Sequence, residues 1–114
     1  MGAFELGRES GLVTVTLKGH ITMEITDELK RALISTLDED TCLGLVLELS
    51  AVTFLDSSGI GVLIAANTRM RGQGRPVFLL RPSTQVLKTL EMVQVLPYFR
   101  VVADPEAIAE QLGL

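Results

Sequence analysis

Cysteine, histidine and aromatic residues are scarce in this sequence. Its 114 residues include one cysteine, Cys42, one histidine, His20, and no tryptophan. One cysteine excludes an internal disulfide, and one Cys with one His cannot form a Cys/His zinc site, so the composition fits a reducing, cytoplasmic location. Aromatic residues make up only 4%. The core must therefore rest on Leu, Val and Ile, which favours a sheet covered by helices.

Long apolar runs and an excess of positive charge are also missing. No uninterrupted apolar run approaches the roughly 20 residues that span a bilayer, and the N-terminus has no basic segment followed by an apolar one. We therefore expect no membrane insertion. The formal net charge of -4 gives no electrostatic reason to bind nucleic acid. One basic cluster is interpreted as a solvated helix end, and it consists of Arg69, Arg71, Arg75 and Arg81.

Hydrophobic periodicity predicts the first half of the fold. Alternation over residues 12–18 predicts a half-covered strand ended by Gly19, with residues 4–8 as its hairpin partner. Helical spacing of apolar residues over 22–37 predicts an amphipathic helix. Residues 45–49 are predicted as a buried strand and 51–55 as a short turn, and a helix follows from Ser58 onward. This places Ser57 at a helix N-terminus.

The second half continues the alternation of strands and helices. Residues 76–80 and 98–102 are predicted as strands, and Ser83 and Asp104 are predicted to cap the helices that follow them. The order is β-β-α-β-α-β-α-β-α. We expect a single α/β domain over residues 1–114, with a mixed four- to five-stranded sheet and about four helices packed mainly on one face.

The stretch 53–62 carries the chemistry of the chain. It places Ser57 and Ser58 between Asp56 and the glycines Gly59 and Gly61, directly after the buried strand. One interpretation is purely structural, because an Asp or Ser before an apolar helix can cap its free N–H groups. The functional alternatives are a nucleophile, a phosphate-binding loop, a phospho-acceptor aspartate and a protein contact surface.

A serine hydrolase would need a base for Ser57 or Ser58 and a group that orients the base. His20 is the only candidate base, and neither a Gly-x-Ser-x-Gly elbow nor an evident orienting acid is present. We therefore do not expect an enzyme.

Phosphate chemistry at the glycines or the acid is also poorly supported. A phosphate-cradling loop needs Gly-x-x-x-x-Gly-Lys-[Ser/Thr], whereas Gly59 and Gly61 lie two apart with no lysine after them. A phospho-acceptor role for Asp56 would need further metal-binding acids after the first long strand, and the chain has none there.

The glycines favour a contact surface over a simple cap. Gly59 and Gly61 each cost about 1 kcal/mol of helix propensity relative to alanine, which a cap alone does not require. Small residues leave backbone accessible to another molecule, with Ile60 beside them. A phosphate on Ser57 would be tolerated at a helix N-terminus, but it would place a charge in an apolar interface. Binding would stop without unfolding.

Residues 54–63 resemble the STAS domain family, and within it the stand-alone bacterial anti-sigma-factor antagonists. The matching pattern is an apolar pair, Asp-Ser-[Ser/Thr]-Gly, and then apolar-Gly-apolar; residues 13–17 running into Gly19, and residues 86–90, support it. The resemblance implies a STAS fold. It implies Ser57 as the phosphorylated residue, Asp56 as its neighbouring acid and Ser58 as a supporting hydroxyl.

The resemblance also implies partners. They are a serine-kinase anti-sigma factor with a histidine-kinase-like ATP-binding fold and a PP2C-type serine phosphatase that reverses the modification. The unphosphorylated antagonist binds the kinase and releases sigma, so it regulates sigma-factor-dependent transcription. ATP and metal belong to those partners, and this domain, expected to be a monomer, needs no cofactor.

The chain departs from the family pattern after the first long strand. The family often has Gly-x-apolar-Asp, whereas this chain has Gly19-His20-Ile21-Thr22. Thr22 can cap a helix but supplies no negative charge, so either Glu24 substitutes for it or the partner differs. The alternative function is a constitutive STAS scaffold, as in stressosome-like assemblies or lipid-transport subunits. The residues assigned to partner binding are Asp56, Ser58, Gly59, Ile60, Gly61, Thr22 and Glu24.

Overall fold

A computed structural model describes residues 4–39 and 41–113. The strands are β1 (Phe4–Glu9), β2 (Leu12–Ile21), β3 (Gly44–Leu55), β4 (Val77–Leu80) and β5 (Arg100–Val102). The helices are α1 (Met23–Leu37), α2 (Ser57–Gly72), α3 (Thr84–Met92) and α4 (Pro105–Leu112), with a short 3-10 helix at Leu96–Tyr98. The predicted order of elements is confirmed.

The strands form one mixed sheet in the order β1-β2-β3-β4-β5. β1 and β2 make an antiparallel hairpin, and the other neighbouring strands pair in parallel. Ser10 and Gly11 join the hairpin with φ angles of 53° and 84°, and two successive positive values match the twist of a tight hairpin turn. α1, α2 and α3 are the crossovers that the parallel pairs require.

Helices cover the two faces of the sheet unequally. Alternate side chains of β2, β3 and β4, such as Val15, Leu47 and Leu79, form the main core with α1, α2 and α3. The opposite face packs against α4, where Ile108 contacts a smaller cluster around Phe78. The expectation of helices mainly on one face is confirmed, and α4 is the exception. Within the described ranges, no helix is long and apolar enough to cross a membrane.

The end of β3 differs from the prediction. Residues 51–55 are not a turn but continue the strand, paired with the end of β2 from Lys18↔Ala51 to Ile21↔Leu55. β2 likewise does not end at Gly19. The pairing shifts between Thr16 and Lys18 and again at Gly19, whose φ of 75° suits a glycine. These bulges interrupt the period-2 pattern while the strands themselves continue.

The last strand is shorter than predicted. β5 begins at Arg100 because Tyr98 belongs to the 3-10 helix that Pro97 helps to form. The capping predictions at Ser83 and Asp104 are confirmed, since their side chains accept hydrogen bonds from the amides of Val86 and Ala107.

A buried acid lies on the central strand. Glu48 is 9% exposed; its Oε1 accepts from the amide of Ser50 at 2.9 Å, and its Oε2 accepts from Nη2 of Arg81 at 2.6 Å. Burial alone raises the pKa of Glu48, but the hydrogen bonds from Ser50 and the Arg81 guanidinium outweigh it and hold the pKa below its ordinary value. The ionised carboxylate therefore stabilises the backbone after Glu48.

We expect Glu48→Gln to lower the free energy of unfolding by about 1–2 kcal/mol at pH 7. Because the folded pKa is depressed, this stabilisation is present above the ordinary value of 4.5 and is lost as pH falls through the lowered folded pKa. Urea unfolding at pH 7 and near pH 3 should show the difference from wild type shrinking in acid. Glu5→Gln, at an exposed position on β1, is the control. If Glu48→Gln lowered the free energy of unfolding equally at both pH values, that result would contradict the role of the ionised Glu48 carboxylate.

Candidate functional site

The stretch 53–62 lies where β2 and β3 end at the same edge of the sheet. Ile21 pairs with Leu55, and the amide of Asp56 donates to the carbonyl of Ile21 at 3.2 Å. α1 begins at Met23 and α2 begins at Ser57. The N-termini of two helices therefore meet at Asp56.

Asp56 serves both of these helices. Its Oδ1 accepts from the amide of Gly59 at 2.9 Å and from the hydroxyl of Ser58 at 2.6 Å, while its Oδ2 accepts from the amide of Met23 at 3.1 Å. The Ser58 hydroxyl first, and then the amides of Gly59 and Met23, hold the pKa of Asp56 below its ordinary value. The carboxylate is thus ionised at neutral pH and ties the start of α1 to the start of α2.

The assignment of a cap to Thr22 is only half right. Thr22 occupies the N-cap position of α1 but makes no side-chain capping hydrogen bond, and the amide of the next residue, Met23, donates to Asp56. Glu24 lies exposed in the first turn of α1, where a negative charge suits the helix dipole. Both residues lie at the same edge of the sheet as Ser57.

The two serines of the motif have different surroundings. Ser57 is the first residue of α2 and is exposed, and no hydrogen bond joins its hydroxyl to the described part of the chain. Ser58 is half-buried and donates to Asp56. The hydroxyl that is accessible to another protein is therefore that of Ser57.

The two glycines also differ, and one expectation about them is wrong. Gly59 is buried, so it does not present backbone to a partner; a Cβ there would lie 2.6 Å from Leu55 Cδ1 and 2.7 Å from the carbonyl oxygen of Ile21. Its small size lets α2 pack closely on the strand ends. Gly61 is exposed, and a Cβ added to it would have no neighbour within 4 Å. Ile60 is partly buried against the main core.

Two exposed apolar side chains at this edge were not predicted from the sequence. Met23 is 72% exposed beside Asp56, and Phe54 is 49% exposed three residues before Ser57. Phe54 lies inside the segment predicted as a turn. Had that segment been predicted as a strand, an apolar residue on its outer side would have indicated a contact surface. We name Met23, Phe54, Ser57 and Gly61 the switch surface.

His20 contacts this surface through Phe54. The two rings meet edge to face with centroids 5.7 Å apart. No hydrogen bond joins His20 to Ser57 or Ser58 among the residues described, so the geometry lends no support to a nucleophile and base pair. The same part of the chain contains no group of three His, Cys, Asp or Glu residues placed to hold a metal ion.

Comparisons with known proteins agree with this geometry. A model of the STAS domain family matches residues 3–108. The fold is similar to the anti-sigma factor antagonist SpoIIAA in its unphosphorylated form, with a TM-score of 0.84 and 20% identity over 98% of each chain. It is also similar to the phosphorylated form of SpoIIAA, a Bacillus cell fate determinant, with a TM-score of 0.77 and 19% identity over 95% of this chain and 98% of that one.

A third structure shows the same likeness. An anti-sigma factor antagonist from Mycobacterium paratuberculosis has a TM-score of 0.83 and 20% identity, over 97% of this chain and 93% of that chain. At these identities the solved structures establish the shared fold.

The contrast between Gly59 and Gly61 can be tested by two substitutions in one helix. Gly59→Ala should lower the free energy of unfolding by about 1–3 kcal/mol, because the new methyl group meets backbone at Ile21. Gly61→Ala is the matched control and should raise it by about 0.5–1 kcal/mol through helix propensity. Urea unfolding measures both. A Gly59→Ala variant as stable as wild type would contradict the close packing of α2.

Proposed function

This chain belongs to the STAS domain family, and we propose that it is an anti-sigma-factor antagonist switched off by phosphorylation of Ser57. In the unphosphorylated state it binds a serine-kinase anti-sigma factor in the cytoplasm and thereby frees a sigma factor for transcription. A PP2C-type phosphatase restores this state. The domain itself is not an enzyme, and the ATP and metal come with its partners.

The observation that carries the proposal is the difference between the two motif hydroxyls. Ser58 donates to Asp56 at 2.6 Å, so a kinase would have to break that hydrogen bond to modify Ser58. Ser57 is exposed at the start of α2 and can enter a kinase active site without any change in the fold. Its position therefore suits a reversible modification.

A phosphate on Ser57 is compatible with the folded domain. It adds a charge of about -1.5 to -2 at the N-terminus of a helix, where the helix dipole favours anions. The neighbouring Asp56 carboxylate opposes it, but that carboxylate is already occupied by the amides of Gly59 and Met23 and by the Ser58 hydroxyl. Because Ser57 is exposed, the phosphate remains hydrated in the free protein.

The same phosphate is incompatible with a bound partner. Met23 and Phe54 offer apolar area near Asp56, and the open space at Gly61 lets another chain approach α2 closely. A partner seated on the switch surface would enclose Ser57. Burying a dianion beside Asp56 would then cost several kcal/mol through desolvation and like-charge repulsion.

The fold neighbours lend support to this scheme. SpoIIAA, an anti-sigma factor antagonist, has been solved in an unphosphorylated and a phosphorylated form, and both share this fold. Here Thr22 lies near the surface without charge, so Glu24, exposed on the first turn of α1, is the acid available to a basic kinase surface.

Incubation with the cognate anti-sigma kinase and ATP should add one phosphate at Ser57. Mass spectrometry of the intact protein and its peptides measures this. Ser57→Ala should abolish the mass gain, whereas Ser58→Ala, which removes the other hydroxyl, should retain modification at Ser57. Absence of modification in wild type, with binding to partners intact, would instead favour the constitutive scaffold.

Ser57→Asp should weaken binding to the anti-sigma kinase by at least roughly tenfold, since it places a charge in the switch surface. Ser35→Asp is the matched control: Ser35 is exposed on α1, about 18 Å along that helix from its start, and the variant should bind as wild type does. Isothermal titration calorimetry measures both affinities. Equal affinity for Ser57→Asp and wild type would refute the mechanism.

A further inference from the structure

The basic cluster predicted as one solvated helix end separates into groups with different surroundings. Arg69 forms an ion pair with Asp38, and Arg81 forms one with Glu48. Arg71 and Arg75 instead line a cavity, where Arg100 from the start of β5 joins them. The solvated-end interpretation does not explain why arginines from the end of α2 and from the start of β5 line the same cavity.

This cavity lies at the edge of the sheet opposite the switch surface. It has a volume of about 520 Å³ and lies between the end of α2, the start of β4, the start of β5 and the end of α4. α2 has 16 residues and is therefore about 24 Å long, so the length of this helix separates the cavity from Ser57. We name this space the arginine cavity.

The arginine cavity is cationic. No acidic side chain of the described ranges lines it, and neither Arg71 nor Arg100 forms an ion pair within those ranges. Arg100 lies over the ring of Phe78 at 5.8 Å, and Nη1 of Arg75 donates to the backbone carbonyls of Leu37 and Glu39. These contacts orient Arg75 and Arg100 without neutralising them. Three positive charges around one cavity, in a chain of net charge -4, favour an anionic occupant.

Polar and aromatic groups complete the walls. Asn67 is buried and donates from Nδ2 to the carbonyl of Tyr98 at 3.1 Å, which fixes the 3-10 helix beside the arginines. Asn67, Arg71, Tyr98 and Phe99 also line a second, more apolar cavity of about 490 Å³ that reaches Ile64. The two neighbouring cavities thus offer arginines for a charged group and the wall at Tyr98 for an apolar group.

We infer that the arginine cavity binds a small organic anion with two or more negative charges, either a phosphate ester or a polycarboxylate. Guanidinium groups bind both classes through paired N–H donors. The site is separate from the switch surface and does not depend on the proposed function. It would give the domain a ligand of its own in addition to its protein partner.

Titration of the isotope-labelled protein with inorganic pyrophosphate or citrate, followed by amide NMR, tests the inference. Sodium chloride at matched ionic strength is the reference. We expect the amide resonances of Arg71, Val77 and Arg100 to shift with at least one of the two anions. The shifts should saturate by an anion concentration of about 10 mM, which is high enough to detect weak binding. Response to pyrophosphate alone identifies a phosphate site, and response to citrate alone identifies a carboxylate site.

Variants distinguish a site from general charge. Arg71→Gln and Arg100→Gln should each weaken binding by roughly tenfold, the effect of a lost charge-assisted hydrogen bond. Arg69→Gln removes one positive charge from the same helix and should leave the affinity unchanged, as should Ser57→Ala. Failure of both anions to saturate, or equal weakening by Arg69→Gln, would overturn the inference whatever the outcome at Ser57.

Discussion

The end of the domain that carries the candidate site depends on one carboxylate, which accepts hydrogen bonds from two helices at once. Asp56 accepts from the amide of Met23 at the start of α1 and from the amide of Gly59 in the first turn of α2. The two helix starts come together only because β2 and β3 stay paired as far as Ile21 and Leu55. The hydrogen bonds of Asp56 and the pairing of the strand ends therefore support the same geometry.

The hydrogen bonds of Asp56 to the amides of Met23 and Gly59 form a frame, and this frame explains why the two serines of the motif are not equivalent. Ser58 completes the hydrogen bonding of Asp56 and so belongs to the frame. Ser57 lies one position earlier, outside the frame and exposed to solvent. The phosphorylation that we propose for Ser57 would therefore change the charge of the surface without breaking the hydrogen bonds of Asp56. The proposed switch would thus act through charge and would need no conformational change.

Much of the fold follows from local patterns, and the errors arise where distant segments meet. Periodicity is sufficient for the order of strands and helices, and residue type is sufficient for the caps at Ser83 and Asp104. The end of β3 escapes prediction because bulges in β3 itself, where its register with β2 shifts twice, break the alternation. The role of Gly59 cannot be predicted from its neighbours in the sequence. The carbonyl oxygen that leaves no room for a side chain belongs to Ile21, which is far from Gly59 along the chain. The different surroundings of the arginines are likewise visible only in the folded structure.

The hairpin and the last strand also determine how the sheet meets other molecules. A sheet open at both sides exposes unpaired backbone groups that can template aggregation. Here the outer strand β1 carries exposed charges at Glu5, Arg8 and Glu9, and β5, on the other side, has only three residues. Neither edge strand therefore offers an incoming strand a long, uncharged pairing partner. The domain can thus present apolar side chains at one end for recognition while its borders resist uncontrolled strand addition.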